Sequence, residues 1–564
     1  MVLVSDSDSD SDKLRLLSTW NQVAMRAYVR QVFCLKLNDN LDDFDELCTR
    51  IQGALSLACR RFPHFAGKIC LGPEKGKVYL STKPNDVVSF NFFDNRRDID
   101  PLPFGWSYSE LAAQGFPCKA FVGPWFGLSY DLTPGGPGAP VTEVHARVIR
   151  GGGLLLCVFI HHSISDGIGM CNFVSNFAAH TFQHVSAAVV HGLVNGGAVN
   201  GDAVKVDLGY PTNIDVDIPE DKTAALVKKL SFEGLVKKCP EYTILPEPTG
   251  PTAPCNRQAW PTALGDVPKT GRIFKFNQDK IGMLKSLAQK WAKGNVIFAN
   301  GVCPSTFACL AAVTWSFCTV ARLESHQPQK SATANNNHSN ITNGTDKGKG
   351  IHGRSSTAMA HLLVPASWRR RAFEHGLDGY ASNAVCMPRI SASVDSHFAI
   401  GDDREEAASA SATCPKASPA TTSTREEKLG KMICMIDASI KAIDDKSVTM
   451  RTAMFRAAPD PRLVGVNIDP QDPLDFIVNS WRHLGGDIAF GLPGLEPGDE
   501  PGSRGRTADA VRRAQPAWNM GAGLVLPGKK RDSPYEILVT LDEESMGRLL
   551  ANREWMKWVS ETIE

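Results

Sequence analysis

The sequence predicts an α/β fold divided into two domains. Three observations carry this. The chain has 564 residues, more than one hydrophobic core ordinarily serves. Strand-like and helix-like apolar patterns alternate in both halves. Between the halves lies 205–268, rich in proline and low in periodicity, which suits an interdomain crossover.

Taken in order, MVLVSDSDSDSDK begins an acidic Ser/Asp tail, 1–14, read as solvated and disordered. DFDELCTRIQGALSLACRR (43–61) carries Leu47, Ile51, Leu55, Leu57 and Ala58 at helical spacing. VTEVHARVIR (141–150) alternates like a half-buried strand. GGGLLLCVFIHH (151–162) follows a glycine turn and reads as a fully buried strand. The next segment, 166–182, reads as a helix with Asp166 near its start. Past the crossover, CPSTFACLAAVTWSFCTVAR (303–322) is a long apolar helix with Ser305 and Thr306 at its N-cap. TAMAHLLVPASW and SPYEILVTL are strands, and SMGRLLANREWMKWVSETI is a closing amphipathic helix. Segments 324–355 and 402–427 are rich in Ser, Ala, Thr, Asn and charge, and read as disordered insertions. A polar Gly/Pro stretch near 492–507 reads as a long loop. The resulting division is a first domain over 15–204 and a second over 269–564.

Composition narrows the function. With 43% apolar and 21% charged residues and a net charge of +1, nothing favours nucleic acid or an acidic membrane surface. The 15 cysteines are scattered without CxxC pairs, which speaks for a reducing compartment and against a disulfide framework or a zinc site. No apolar stretch reads as long enough to span a bilayer. The N-terminus lacks the basic start and apolar core of a signal peptide, so a cytoplasmic protein is expected. The sequons at Asn337, Asn340 and Asn343 are then accidents of an Asn-rich loop.

The chemistry concentrates at LLCVFIHHSISDGIGM (155–170). A buried strand ends on His161 and His162, and three residues separate His162 from Asp166. Among 14 histidines roughly one such spacing arises by chance, and His483-Leu-Gly-Gly-Asp487 is a second. Context distinguishes the first: the mouth of a buried strand presents an imidazole to a substrate, and imidazole is suited to proton transfer near neutral pH. The residues alone leave two readings open. One is a positioned base; the other is a satisfied strand-end histidine with Asp166 as helix cap.

The stretch FIHHSISDGIGM resembles the HHxxxDG signature of the BAHD acyltransferases, and the chain is most similar to their fungal trichothecene 3-O-acetyltransferase-like branch. LSTWNQVAMRAYVR (17–30) is similar to the N-terminal LSxxDQ element, with Asn21 in place of Asp. PSTFACLAAVTWSFCTVAR resembles the STNDALSAxxW helix. SWRRR with YASNAV (380–385) resembles the DGRxR…YFGNA pair. NSWRHLGGDIAFGLPG (479–494) resembles the TSW…DFGWG region, with its Asp missing unless Asp487 substitutes. The C-terminal segment follows the family pattern as well.

The resemblance implies two similar-sized chloramphenicol-acetyltransferase-like domains with a channel between them. It implies His162 as general base and acyl-CoA, acetyl-CoA in the first instance, as co-substrate, with no permanent cofactor and no metal. The implied acceptor is a hydroxyl of a hydrophobic secondary metabolite. Asp166 is expected to turn away from substrate and pair with Arg369, with Gly167 supporting the turn. Ser305, Thr306, Asn383 and Gly491 are candidates for the CoA side, beside a helix-cap or turn role. Arg512 and Arg513 are read as a solvated face before CoA-phosphate ligands. Phe104, Trp106 and Trp125, in loops ahead of the catalytic strand, are candidate acceptor contacts beside ordinary packing. Amine acylation, a carrier-bound acyl donor and a non-catalytic metabolite binder are the alternatives. The family analogy suggests a monomer.

Overall fold

The computed structural model describes residues 13–564 outside 39–42, 84–85, 97–103, 129, 131, 184–207, 215, 249–266, 295–302, 326–357, 374–376, 378–379, 399–423, 499–504, 520 and 530–532. In chain order, β1 (Tyr28–Lys36), β2 (Ser89–Asn95), β3 (Thr142–Ile149) and β4 (Gly153–His161) build a first sheet. Then β5 (Lys269–Phe276), β6 (Met359–Leu363), β7 (Arg389–Ser393) and β8 (Asp475–Ser480) enter a second. Strand β9 (Ala510–Arg513) returns to the first sheet, and β10 (Ala522–Val525), β11 (Tyr535–Asp542) and β12 (Glu561–Ile563) complete the second. The orders are β9-β1-β4-β3-β2 and β7-β6-β8-β10-β11-β5-β12. Both sheets are mixed: β2 runs parallel to β3, and β8 runs parallel to β6 and β10.

Strand β4 is a continuous apolar run because both of its faces are covered. Leu154, Leu156, Val158 and Ile160 pack with helices α1 (Asp45–Arg61) and α2 (Gly167–His180) in one cluster. Leu155, Cys157 and Phe159 pack on the other face with Phe104, Tyr108, Phe121 and Phe126. A two-sided strand loses the alternation that a half-buried one shows.

The second half is organised around α3 (Gln278–Lys293), α4 (Thr306–Ser325) and α5 (Arg425–Lys441), packed on the second sheet. Helix α4 corrects one expectation. With a mean hydropathy of 1.4 it is long and apolar enough to cross a membrane, but 83% of its apolar window is buried inside the fold. Its apolar circumference belongs to a core helix enclosed on all sides.

Several boundaries differ from the sequence reading. Lys13 and Leu14 pair with Thr82 and Ser81 and so leave the tail; residues 1–12 lie outside the described residues. The crossover segment contains helices Glu220–Lys229 and Phe232–Val236 and a strand Tyr242–Ile244. Phe232, Leu235 and Tyr242 pack there with Trp20 and Trp368, so it is part of a core. Glu324 and Ser325 end α4, and Thr424 with Glu427 form the capping box of α5; the rest of both insertions lies outside the described residues. The closing segment divides into Glu543–Ala551, Arg553–Met556 and β12, because Asn552 caps a new turn. Finally, Ala510–Arg513, assigned to the second domain by sequence, forms the edge of the first sheet.

Candidate active site

The site begins where β4 runs out. Helix α2 starts at Asp166, whose Oδ1 accepts from the backbone N–H of Ile168 at 3.1 Å and Gly169 at 3.3 Å. This is an ordinary N-cap. The second carboxylate oxygen reaches across the molecule: Oδ2 accepts from Arg369 Nη1 at 2.6 Å and from the Ala384 N–H at 2.8 Å. The ion pair that the resemblance implied is therefore formed. Asp166 is both cap and brace, and its side chain is almost wholly buried. Arg369 holds the other end by donating to the carbonyls of Tyr380 (3.3 Å) and Ser382. Its fork fastens the 380–384 segment to the α2 turn.

His162 sits inside this brace. Its N–H donates to the Ala27 carbonyl at 2.8 Å, and its own carbonyl accepts from Asn383 Nδ2 at 2.8 Å. Asn383 Nδ2 also donates to Asn21 Oδ1 at 2.7 Å, and Asn383 N–H donates to the same oxygen at 2.9 Å. Asn21 Nδ2 in turn donates to Ser382 Oγ at 3.1 Å. The His162 backbone is thus tied to two separate segments of the chain, one carrying Ala27 and Asn21 and the other Ser382 and Asn383, which are also bonded to each other. Its ring is half-buried; Nδ1 is enclosed without a partner, leaving Nε2 as the accessible nitrogen. The neighbouring His161 is different. It is buried edge-on to Tyr28 at 5.2 Å, and burial pushes its imidazole down to about 3. A ring held neutral at all working pH values is structural, so the two adjacent histidines divide between fold and surface.

Gly167 and Gly169 make the turn compact. A Cβ at Gly167 would stand 2.6 Å from Leu484 Cδ1, and one at Gly169 would stand 1.9 Å from Ser165 Oγ. Leu484 belongs to the segment that follows β8. That segment also lines a cleft of about 240 Å³ with Ser305, Thr306, Phe307, Ser480, Arg482, His483 and Tyr535. Ser305 Oγ accepts from the Ala308 N–H at 3.2 Å and so caps α4. Cys171 Sγ, on α2, lies 3.8 Å from the His483 carbonyl, so the cleft abuts the turn that carries His162. Of the residues assigned to the CoA side, Ser305 and Thr306 line this cleft.

The other assignments are redirected. Asn383 is 5% exposed and spends its amide on Asn21 and His162; it positions the turn. Gly491 N–H donates to Thr181 Oγ1 at 2.7 Å, and a Cβ there would meet the Phe182 ring at 2.6 Å; it packs on the end of α2. Phe104, Trp106 and Trp125 cover the Phe159 face of the first sheet, opposite the face of Ile160, and act as a packing layer. Arg512 is not solvated. It is buried, pairs with Glu536 at 2.8 Å and donates to the carbonyls of Phe116 and Gly115 at 2.8 Å each. Sequence reasoning gave no role to Asn21 or Ser382. The order of motifs pointed to their segments, but not to their convergence on His162. Every cysteine among the described residues is a free thiol, and none of these residues forms a cluster suited to a metal.

No family model matches the chain. Similar curated proteins are fungal acyltransferases. Acyltransferase cm3D of Cordyceps militaris is 29% identical over 177 residues, 29% of this chain and 35% of that protein. A trichothecene 8-O-acetyltransferase of Fusarium sporotrichioides is 23% identical over 321 residues, 54% of this chain and 57% of that protein. The chain thus spans between about a third and just over half the length of these relatives. Among solved structures, F. graminearum TRI101 complexed with ethyl coenzyme A superposes with a TM-score of 0.62 at 16% identity, covering 98% of this chain and all of that one. Vinorine synthase superposes with a TM-score of 0.52 at 14% identity, covering 97% of each chain. The fold is that of TRI101 and vinorine synthase.

Proposed function

We propose that this chain, which has the fold of BAHD-type acyltransferases, is an acyl-CoA-dependent O-acyltransferase. It moves an acyl group, acetyl in the simplest case, to a hydroxyl of a hydrophobic small molecule. The observation that carries the reading is His162. Its ring presents Nε2 at the mouth of β4, while the turn beneath is held by Asp166, Arg369 and Asn383. That much bracing around one half-exposed imidazole is what a positioned base requires.

The chemistry needs no acyl-enzyme. His162 Nε2 takes the hydroxyl proton as the acceptor oxygen bonds to the thioester carbonyl carbon. The tetrahedral intermediate collapses, the C–S bond breaks, and the same proton passes to the CoA sulfur. Acyl-CoA is a substrate here. The cleft at Ser305, Thr306, Ser480 and His483, adjacent to the α2 turn, is where we place its approach. The free thiols support a cytoplasmic location. We read the protein as a monomer of two domains, 15–204 with β9 and 269–564, joined through 205–268.

The test is release of free thiol from acetyl-CoA by the wild type and His162→Ala over a panel of hydrophobic alcohols. Turnover that drops by about two to four decades in the variant supports the reading. Folded protein without turnover on any acyl-CoA would defeat it and favour a carrier-bound donor or a binding role.

A further inference from the structure

Arg513 is a half-buried cation to which the described residues offer no acceptor. It is the last residue of β9, opposite Gln31 of β1, and Gln31 stands opposite Val158 of β4. Among the described residues no carboxylate, carbonyl or hydroxyl accepts from its guanidinium. The charge nearest in effect is another cation, Arg30, and burial together with Arg30 lowers the Arg513 guanidinium to about 10. Its neighbour Arg512, by contrast, has a carboxylate and two carbonyls.

The segment around Arg513 has the same imbalance. Gln515 is 4% exposed, and its amide nitrogen Nε2 is buried without an acceptor. Arg30 Nε is also enclosed without one. Alternation along β9 places Val511 in the cluster beneath α1 and α2, and Ala514 in the opposite layer. Residues 513 and 515 then share the Val511 face, the face of Ile160 from which β4 runs on to His162. Along the sheet, Val158 lies four residues before His162, about 13 Å.

Gln515 Nε2 is desolvated without an acceptor, which costs stability, and the half-buried Arg513 guanidinium on the same face has no protein acceptor either; a fold keeps such donors where a ligand supplies the acceptor. We propose that Arg513 and Gln515 form an anion subsite that takes the carboxylate of the acceptor, so that the acceptor class is hydroxy acids. This rests on the function proposed above. The other source of negative charge is CoA. Its phosphates carry several charges and call for several cations, whereas one guanidinium with one carboxamide matches a single carboxylate.

The test uses full-length protein, acetyl-CoA, and apolar hydroxy acids paired with their methyl esters. Wild type is expected to favour each acid over its ester by about ten-fold or more in kcat/KM. Arg513→Met should abolish that preference and leave the KM for acetyl-CoA unchanged, and Arg513→Lys should restore part of it. A raised KM for acetyl-CoA alone would assign the subsite to CoA and overturn the proposal, as would an unchanged acid preference in Arg513→Met. Calorimetric binding of the same acids separates this from the activity itself. Binding lost in Arg513→Met upholds the subsite even if turnover is absent, and no binding by wild type refutes it.

Discussion

The Asp166 carboxylate meets Arg369 at 2.6 Å across 203 residues of sequence, and this contact joins the helix that follows β4 to the segment carrying Asn383. Because Asp166 is buried, removing its counter-charge strands an anion. Arg369→Ala is expected to cost about 3–5 kcal/mol in urea unfolding. On the proposed mechanism it should lower kcat by about ten-fold or more while the KM for acetyl-CoA stays near wild type, since a displaced base costs rate before it costs binding. Wild-type stability in that variant would show the pair to be idle.

Asn383 tests positioning without charge. Asn383→Ala removes donors to Asn21 Oδ1 and to the His162 carbonyl, both in a dry setting. A loss of about 2–3 kcal/mol is expected, with kcat reduced on the proposed mechanism. A residue that only touched CoA would instead raise the KM for acetyl-CoA and leave kcat alone.

The two glycines of the turn should differ. Glycine to alanine inside a helix ordinarily stabilises by about 0.5–1 kcal/mol. At Gly169 the new Cβ would collide with Ser165 Oγ and crowd the Ala381 carbonyl at 3.2 Å, so Gly169→Ala is expected to destabilise by about 1–3 kcal/mol. At Gly167 the obstacle is the tip of Leu484, a flexible group that can turn away. Thermal melts of the two variants should rank Gly169→Ala the lower, and the reverse order would contradict the packing described.

Acid should act through His161 and His64, whose imidazoles burial pushes down to about 3. In the unfolded chain both titrate near about 6.5. Between about 6.5 and 3 the unfolded state binds the extra proton. The stability contributed by each group is therefore complete above about pH 6.5 and lost as pH falls through that window. Each histidine steepens the loss by up to about 1.4 kcal/mol per pH unit. Denaturant unfolding at about pH 7, 6 and 5 should show a shallower decline for His161→Gln than for wild type. Parallel declines would mean that His161 is protonated in the fold.

Local signals made much of the fold legible. Leu47, Ile51 and Leu55 marked α1, the apolar run to His161 marked β4, and Asp166 before Gly167 marked the start of α2. Each depends on residues a few positions apart. The aromatic loops left two readings open for the opposite reason: Phe104, Trp106 and Trp125 suit a binding pocket or ordinary packing, and the sheet face they cover is set by pairings between distant strands. Arg512 likewise looked like a surface cation until Glu536 and two carbonyls surrounded it.

By itself the sequence determined the strand–helix alternation, the core faces and the placement of an imidazole at a strand end, because periodicity and capping act along the chain. Only the tertiary structure decided that Asn21, Arg369, Ser382 and Asn383 converge on His162, that β9 crosses to the first sheet, and that Arg513 is left without a partner among the described residues. Those facts depend on which buried donors and acceptors meet across hundreds of residues. Desolvation enforces such meetings only once the packed interior exists.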